Sequence, residues 1–280
     1  MVQIIHNADM DEFIGLPFKL YKGNPFYIPE LKSDAKNLLT KDPFWQNAKR
    51  ELFVAKRANA AAGRVAAVIN KTHNDYWRDK TGFFGFFECE NNQDTANALL
   101  AAAEKWLKER GCDKIRGPIN PSTNHTCGVL IDNFDKEPVI MMPYNLPYYD
   151  ALLKGTGLEK AKDLLVFERT DRDDFSPRMK KIMERILKNP AIKMRQINLR
   201  DFDNEVESIR KIYNASWANN WGFAPISQAE MRHTAKQLKM IIKPELTCVI
   251  EYDNTPAGFA ISVPNMNHVF KILGGSFFNP

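Results

Sequence analysis

The chain ends on two strand patterns and a glycine-rich tail. Residues 246–253 (LTCVIEYD) and 256–263 (PAGFAISV) flank a short turn, and residues 264–279, with Gly274 and Gly275 among them, separate them from Pro280. Two strands cannot bury a hydrophobic face by themselves. They either complete a sheet built elsewhere in the chain or open a domain that is cut short. Every reading of the remaining residues has to satisfy this constraint.

A chain of 280 residues is comfortable for two domains. With 44% hydrophobic residues, 26% charged residues, 18 Phe and 5 Trp, it can bury a substantial core and is not a disordered chain. The net charge is 39 − 34 = +5, spread along the sequence. No basic stripe with interleaved aromatics appears, so no nucleic-acid partner is expected. The mild positive balance suits an anionic ligand such as a phosphorylated cofactor. The four cysteines, Cys89, Cys112, Cys127 and Cys248, form no CxxC pair and have no histidine at ligand spacing. They read as reduced thiols and not as metal ligands. No signal peptide opens the chain and no apolar run is long enough to span a membrane. The expectation is a cytoplasmic protein with no membrane partner.

The first half reads β-α-α-β-β-β-α-β-α-β. A strand over 2–5 leads into a helix capped by Asp9 or Asp11, and a second helix starts near Pro29. A hairpin spans 51–69, a polar loop 73–80, and an aromatic strand 81–88 (TGFFGFFE). Asp94 is expected to cap a helix over 95–110, with Leu99, Leu100, Ala103, Trp106 and Leu107 on one face and Gly111 beyond its end. A strand follows at 112–116, then a long irregular stretch, a short helix from Pro147, and a strand over 158–168. After a charged helix at 178–187 the order restarts: strand 192–199, helix 201–218, helix 227–242, hairpin 246–263. This β-α-α-β-β repeats the opening of the first half, which is the mark of an architectural repeat.

Residues 81–169 resemble the second half of a GNAT (N-acetyltransferase) domain. The stretch Arg116-Gly117-Pro118, Asn120-Pro121-Ser122 and Asn124, then Gly128, Leu130-Ile131-Asp132, and then Tyr144-Asn145 and Tyr148-Tyr149, is similar to bacterial proteins carrying two such domains in tandem. The segment Asn220-Trp221-Gly222-Phe223-Ala224-Pro225 resembles the start of their second domain. The resemblance implies an α+β fold: a central, mostly antiparallel sheet flanked by helices over 1–170, followed over 171–280 by a partial second copy. The unfinished sheet edge predicts docking on the first domain's sheet or on a second copy, giving a homodimer.

The resemblance also implies a chemistry, acyl-CoA-dependent N-acyl transfer. Acetyl-CoA or another acyl-CoA is the donor, no metal takes part, and a small-molecule or peptide amine attacks the thioester directly. In this superfamily the cofactor diphosphate rests on a strand-to-helix turn reading (Gln or Arg)-x-x-Gly-x-(Gly or Ala). The corresponding turn here runs from Glu90 through Asn91, Asn92, Gln93, Asp94 and Thr95 to Ala96; it lacks glycine and brings two carboxylates. Asn91, Asn92 and Gln93 are the residues left to hold phosphate. The first domain then reads as the acceptor side, and the main cofactor site as lying outside it. Glu88, ending the aromatic strand, is the candidate general base. Simple alternation puts it on the face of Phe84 and Phe86. Family members often place a tyrosine four residues before the glycine that ends the short helix, to protonate the departing thiolate; that position is Leu153, and the pair Tyr148-Tyr149 lies about one turn earlier, with Tyr149 the candidate general acid. The polar loop 117–128, with Asn120, Ser122, Asn124 and His125, is read as a substrate pocket together with Tyr144, Asn145 and Tyr148. His125, Cys127 and Asp132 also invite a thiol-protease reading, which nothing else in the sequence supports. Trp217, Trp221 and Phe223 are read as core residues, with the lining of an inter-domain cleft as the alternative. The alternative to an enzyme is a catalytically silent GNAT-like module that binds a small polar ligand or peptide through the same loop.

Overall fold

A computed structural model describes residues 1–170 and 174–277. The expected domain boundary adjoins residues 171–173, which lie outside the described residues. Contacts divide the chain into two units. Unit 1 gathers residues 1–160, 220–225 and those from 265 onward; unit 2 gathers 161–219 and 226–264.

Unit 1 opens with β1 (Val2–His6) and α1 (Met10–Leu20). Asp9 caps α1, its side chain accepting the backbone N–H of Asp11 and Glu12. The helix buries Phe13, Ile14, Leu16 and Pro17. Next come α2 (Lys32–Thr40), β2 (Ala48–Arg57) and β3 (Ala60–Asn70). Between β2 and β3, Ala58 and Asn59 take φ of +47° and +64°. Two left-handed residues match the twist of a two-residue hairpin loop. Residues 73–80, expected as a loop, begin instead inside α3 (Lys71–Trp77), because the Asn70 side chain caps it by accepting the His73 N–H at 3.1 Å. The unit continues with β4 (Thr81–Cys89), α4 (Gln93–Lys108), β5 (Lys114–Arg116), the two-residue strands β6 (Ile119–Asn120) and β7 (Thr126–Cys127), and α5 (Tyr149–Gly155).

The main sheet has the order β1-β2-β3-β4-β5, antiparallel except for the parallel β4–β5 pair. It separates two cores. On one face Phe53, Val65, Ala67, Phe84, Phe87 and Cys89 pack against Leu99, Leu100, Ala103 and Trp106 of α4 and Leu152 and Leu153 of α5. On the other, Leu52, Val54, Ala66, Val68, Phe83 and Phe86 meet Phe13 and Ile14 of α1 and Leu39 of α2.

Phe83 and Phe86 share a face, three residues apart, which simple alternation forbids. The cause is a bulge. Arg64 pairs with Glu88 but Ala66 with Gly85, so β4 carries one extra residue, and Phe86 takes φ +52°. Glu88 therefore lies on the face of Phe83 and Phe86, and the expected grouping with Phe84 is corrected. Beyond Phe83, β5 no longer pairs with β4 and the 117–120 segment lies against it instead. A Cβ on Gly85 would fall 1.9 Å from the Ile119 carbonyl oxygen.

Unit 2 contains α6 (Pro177–Leu187), β8 (Ile192–Gln196), α7 (Phe202–Trp217), α8 (Gln228–Leu238), β9 (Thr247–Tyr252) and β10 (Thr255–Ile261). Its antiparallel sheet has the order β10-β9-β8. Apart from α6, it repeats the β-α-α-β-β order that opens unit 1. A short α9 (Asn267–Leu273) follows and belongs to unit 1. No strand forms over 158–168, contrary to expectation; Leu164, Leu165, Val166 and Phe167 are exposed. Strand-forming composition needs a neighbouring strand to satisfy its backbone, and none pairs with this stretch in the sheets of the described residues. Trp217 and Trp221 are not core residues: Trp217 stacks on Tyr213, and Trp221 lies under the Arg116 guanidinium. Phe223 is buried.

Two glycine substitutions have opposite expected signs. Gly85→Ala forces a methyl into the Ile119 carbonyl and lowers stability by about 3 kcal/mol. Gly15→Ala, inside α1 with nothing within 4 Å of the new methyl, raises it by about 0.5–1 kcal/mol. Chemical denaturation of the two variants checks both.

Candidate functional site

The bulge turns Glu88 toward α1, where three side chains meet it. The Tyr21 hydroxyl donates to Glu88 Oε2 at 2.9 Å and the Tyr149 hydroxyl to the same oxygen at 2.6 Å. Arg64, opposite on β3, places Nη2 3.6 Å from Oε1. Its Nη1–H donates to the Phe13 carbonyl at 2.7 Å, and its guanidinium lies over the Phe13 ring. Tyr27 stacks on Tyr21 at 4.1 Å, and Tyr144 leans on both rings. Asn24 fixes this aromatic group: its side-chain oxygen accepts the N–H of Phe26 and Tyr27 and lies 3.2 Å from the Tyr144 hydroxyl.

The Glu88 and Arg64 side chains are 14% and 11% exposed, so the carboxyl is nearly but not wholly shut off from solvent. Burial pushes its pKa above the ordinary carboxylate range; Arg64 and the tyrosine hydroxyls oppose this without cancelling it. Burial and the nearby carboxylate raise the Tyr21 and Tyr149 phenols, which stay protonated donors. The arrangement is a carboxyl with raised proton affinity, aimed by two phenols and one cation, at the end of a strand. Such a group has a greater affinity for a proton than an ordinary carboxylate.

The outer edge of β4 is closed by side chains. Asn120 Oδ1 accepts the Phe86 N–H at 2.5 Å, the Tyr149 hydroxyl accepts the Cys89 N–H at 3.1 Å, and the Tyr148 hydroxyl donates to the Cys89 carbonyl at 2.8 Å. Burial pushes the Cys89 thiol up to about 12, with Glu90 and Glu88 adding to the shift, so it offers no thiolate.

The α4 N-terminus is also taken up internally. Asn92, and not Asp94 as expected, is its cap: its backbone is extended and its side chain accepts the Thr95 N–H at 2.9 Å, while Asp94 sits one position inside the helix. Glu90 pairs with Arg57 at 2.6 Å and accepts the Thr95 hydroxyl. Gln93 donates to Asn97 and to the Leu152 carbonyl, and Asn91 is exposed. A CoA diphosphate does not fit these residues as arranged: it would have to displace the cap and lie beside two carboxylates.

The remaining loop residues form separate groups. Ser122 Oγ lies 2.8 Å from His125 Nδ1 and accepts the Asn124 N–H; His125 Nε2 lies 3.8 Å from Asp42. The order suggests a hydrolase trio, but Ser122 is only 3% exposed. Burial also raises the Cys127 thiol, which counts against the thiol-protease reading. Asn124 donates to the Ala224 carbonyl and Thr123 to the Gly222 carbonyl. Asn145 is buried and bonds both backbone groups of Leu130. The structure thus gathers Glu88, Tyr149, Tyr148 and Tyr144 on or near one strand end and sets Asn120 against that strand. It brings in Arg64, Tyr21 and Tyr27, which the sequence reading missed. One signal was present: Arg64 interrupts the apolar run of β3, and a cation there needs a carboxylate partner. Among the described residues no group of three His, Cys, Asp or Glu can hold a metal, and no helix is long and apolar enough to cross a membrane.

No family model matches the chain. It is 35% identical over 277 residues to Protein YghO of Escherichia coli (strain K12), covering 98% of this chain and 70% of that protein. It is 32% identical over 271 residues to bacterial ceramide synthase of Caulobacter vibrioides, covering 96% and 70%. Among solved structures it is similar to a tandem GNAT protein from the clavulanic acid biosynthesis pathway, at 11% identity and a TM-score of 0.48 over 92% of this chain and 72% of that one. It is also similar to an aminoglycoside acetyltransferase from an uncultured soil metagenomic sample, at 14% identity and a TM-score of 0.37 over 60% and 95%. The chain has an α+β fold, a mainly antiparallel sheet flanked by helices with the β-α-α-β-β order begun a second time, and at 35% and 32% identity over nearly its whole length it belongs to the family of YghO and bacterial ceramide synthase.

Proposed function

We propose that the protein is an acyl-CoA-dependent N-acyltransferase in which unit 1 forms the acceptor side and Glu88 takes the proton from the attacking amine. The observation that carries this reading is the Glu88 carboxyl: buried, raised in pKa, and aimed by Tyr21 and Tyr149. Most amines are protonated at neutral pH and must lose a proton to attack a carbonyl, so a base of raised pKa at the acceptor is useful. Tyr149 and Arg64 are positioning residues that hold the carboxylate. No step with the acyl donor is assigned to unit 1, because the α4 N-terminus is already filled. One relative is named a ceramide synthase; a ceramide is the amide of a long-chain amino alcohol, so long-chain amines are the first acceptors to try. The Ser122, Asn124 and His125 group and the exposed Asn91 are left as peripheral candidates, and a homodimer through the β10 edge as an open proposal.

A second reading, a silent ligand-binding module, is favoured by that filled helix terminus. Calorimetric titration of the chain with acetyl-CoA and CoA, followed by thiol-release assays with short- and long-chain amines, separates the two. Thiol release that depends on amine supports the enzyme; amine binding with no donor binding and no turnover supports the module.

Within the enzyme reading, Glu88→Gln lowers kcat/KM by about 10²–10⁴. In the parent, kcat/KM climbs with pH through an inflection above the ordinary carboxylate range, and the variant lacks that inflection. The Tyr149 bond lowers the Glu88 pKa, so Tyr149→Phe moves the inflection to higher pH. A merely structural tyrosine would leave it in place.

Stability gives a test that needs no substrate. The folded carboxyl keeps its proton to higher pH than the unfolded one, so the native state binds more protons across that interval. The contribution of this group is then full below the ordinary carboxylate range and falls as pH rises through the raised value. Glu88→Gln removes that fall. Arg64→Met removes the cation that opposes the effect of burial, so Glu88 keeps its proton to still higher pH and the fall in stability moves to higher pH; this shift disappears in the Glu88→Gln background. Denaturant unfolding of the four proteins across pH measures the coupling.

A further inference from the structure

We propose that α6 docks the protein on an anionic lipid surface. The helix has eleven residues and none is buried. Met179, Ile182, Met183 and Ile186 follow the i, i+3, i+4, i+7 spacing of a single helical stripe, and each is more than 40% exposed. Leu187 and Phe175 extend the apolar surface at the two ends. Off the stripe stand Arg178, Lys180, Lys181 and Arg185, against the single acid Glu184, a net +4 − 1 = +3 for the helix, with Lys188 at its C-cap. Asp174 pairs with Lys180 at 2.5 Å, an exposed contact of little weight. By contrast, α4 buries Leu99, Leu100 and Leu107, and α7 buries Val206 and Ile209. A helix with an uncovered apolar stripe and a strongly basic remainder lies flat at a membrane interface.

Charge decides between the occupants of this face. A second copy of the chain would bring another +3 helix against the first. A nucleic acid would meet the basic residues and leave Ile182 and Ile186 in water. An anionic bilayer satisfies both faces at once. The apolar stripe enters the acyl boundary, and the long Arg and Lys side chains reach phosphates at the headgroup level. This inference rests on α6 alone and holds whether or not the acyl-transfer reading does.

The test is co-sedimentation of the full 280-residue chain with vesicles of phosphatidylcholine, with and without phosphatidylglycerol. The expected result is binding to the anionic vesicles that weakens as salt is raised. Lys181→Glu with Arg185→Glu should cut that binding roughly tenfold or more. Ile182→Asp with Ile186→Asp should abolish it. None of these residues is buried, so the circular dichroism of the variants should match the parent. Absence of vesicle binding, or binding that neither double variant changes, overturns the proposal. So does concentration-dependent self-association that Ile182→Asp with Ile186→Asp removes, which assigns the stripe to a second copy.

Discussion

The extra residue at Phe86 sets the direction of every side chain after it in β4. Without it, strict alternation would carry Glu88 to the α4 face, among Leu99 and Leu100, and send Phe87 and Cys89 the other way. A carboxylate in that apolar layer would find no cation. With the bulge, Glu88 stands opposite Arg64, and Phe87 and Cys89 fill the α4 core. The bulge is itself held from outside the strand: Asn120 accepts the Phe86 N–H that the ladder loses. Gly85 has no side chain because the Ile119 carbonyl lies against it. The polar loop and the site are thus one construction, in which the loop shapes the strand that aims the carboxylate.

What results is a balance between desolvation and pairing. A carboxylate beside a guanidinium in water would have a depressed pKa. Here the two side chains are nearly dry, and the cost of stripping water from the carboxylate outweighs the attraction of an ion 3.6 Å away. Arg64 is also partly committed elsewhere, to the Phe13 carbonyl and ring. The outcome is a carboxyl that gives up its proton late. That condition suits a base better than a tight salt bridge would, because a fully paired carboxylate has little affinity for a proton.

Much of this frame was legible in the sequence. The Asp9 cap, the 51–69 hairpin, the α4 stripe and the restarted β-α-α-β-β order all follow local rules of capping, turn geometry and periodicity. Glu88 and Tyr149 were both singled out, and the structure places them 2.6 Å apart. What escaped depends on contacts distant in sequence. In TGFFGFFEC almost every position is apolar, so no alternation reveals where a bulge falls. Tyr21 reaches Glu88 across 67 residues and Arg64 across the hairpin register, which no local pattern records. Residues 158–168 failed for the converse reason: their composition is that of a strand, but composition supplies no partner.

The α4 N-terminus shows why fold and chemistry have to be argued separately. A helix terminus binds a phosphate because its first N–H groups are unpaired and its dipole is positive there. In this chain Asn92 already accepts from Thr95, and Glu90 brings a negative charge held in place by Arg57. A dianion arriving there would have to displace a side-chain acceptor, separate an ion pair and sit beside Asp94. Each of these costs free energy that an open glycine-rich turn does not. The same residues stabilise α4 in the absence of any ligand, and α4 is the helix that covers the Phe84 and Phe87 face of the sheet. The turn is therefore better suited to holding unit 1 together than to holding a cofactor.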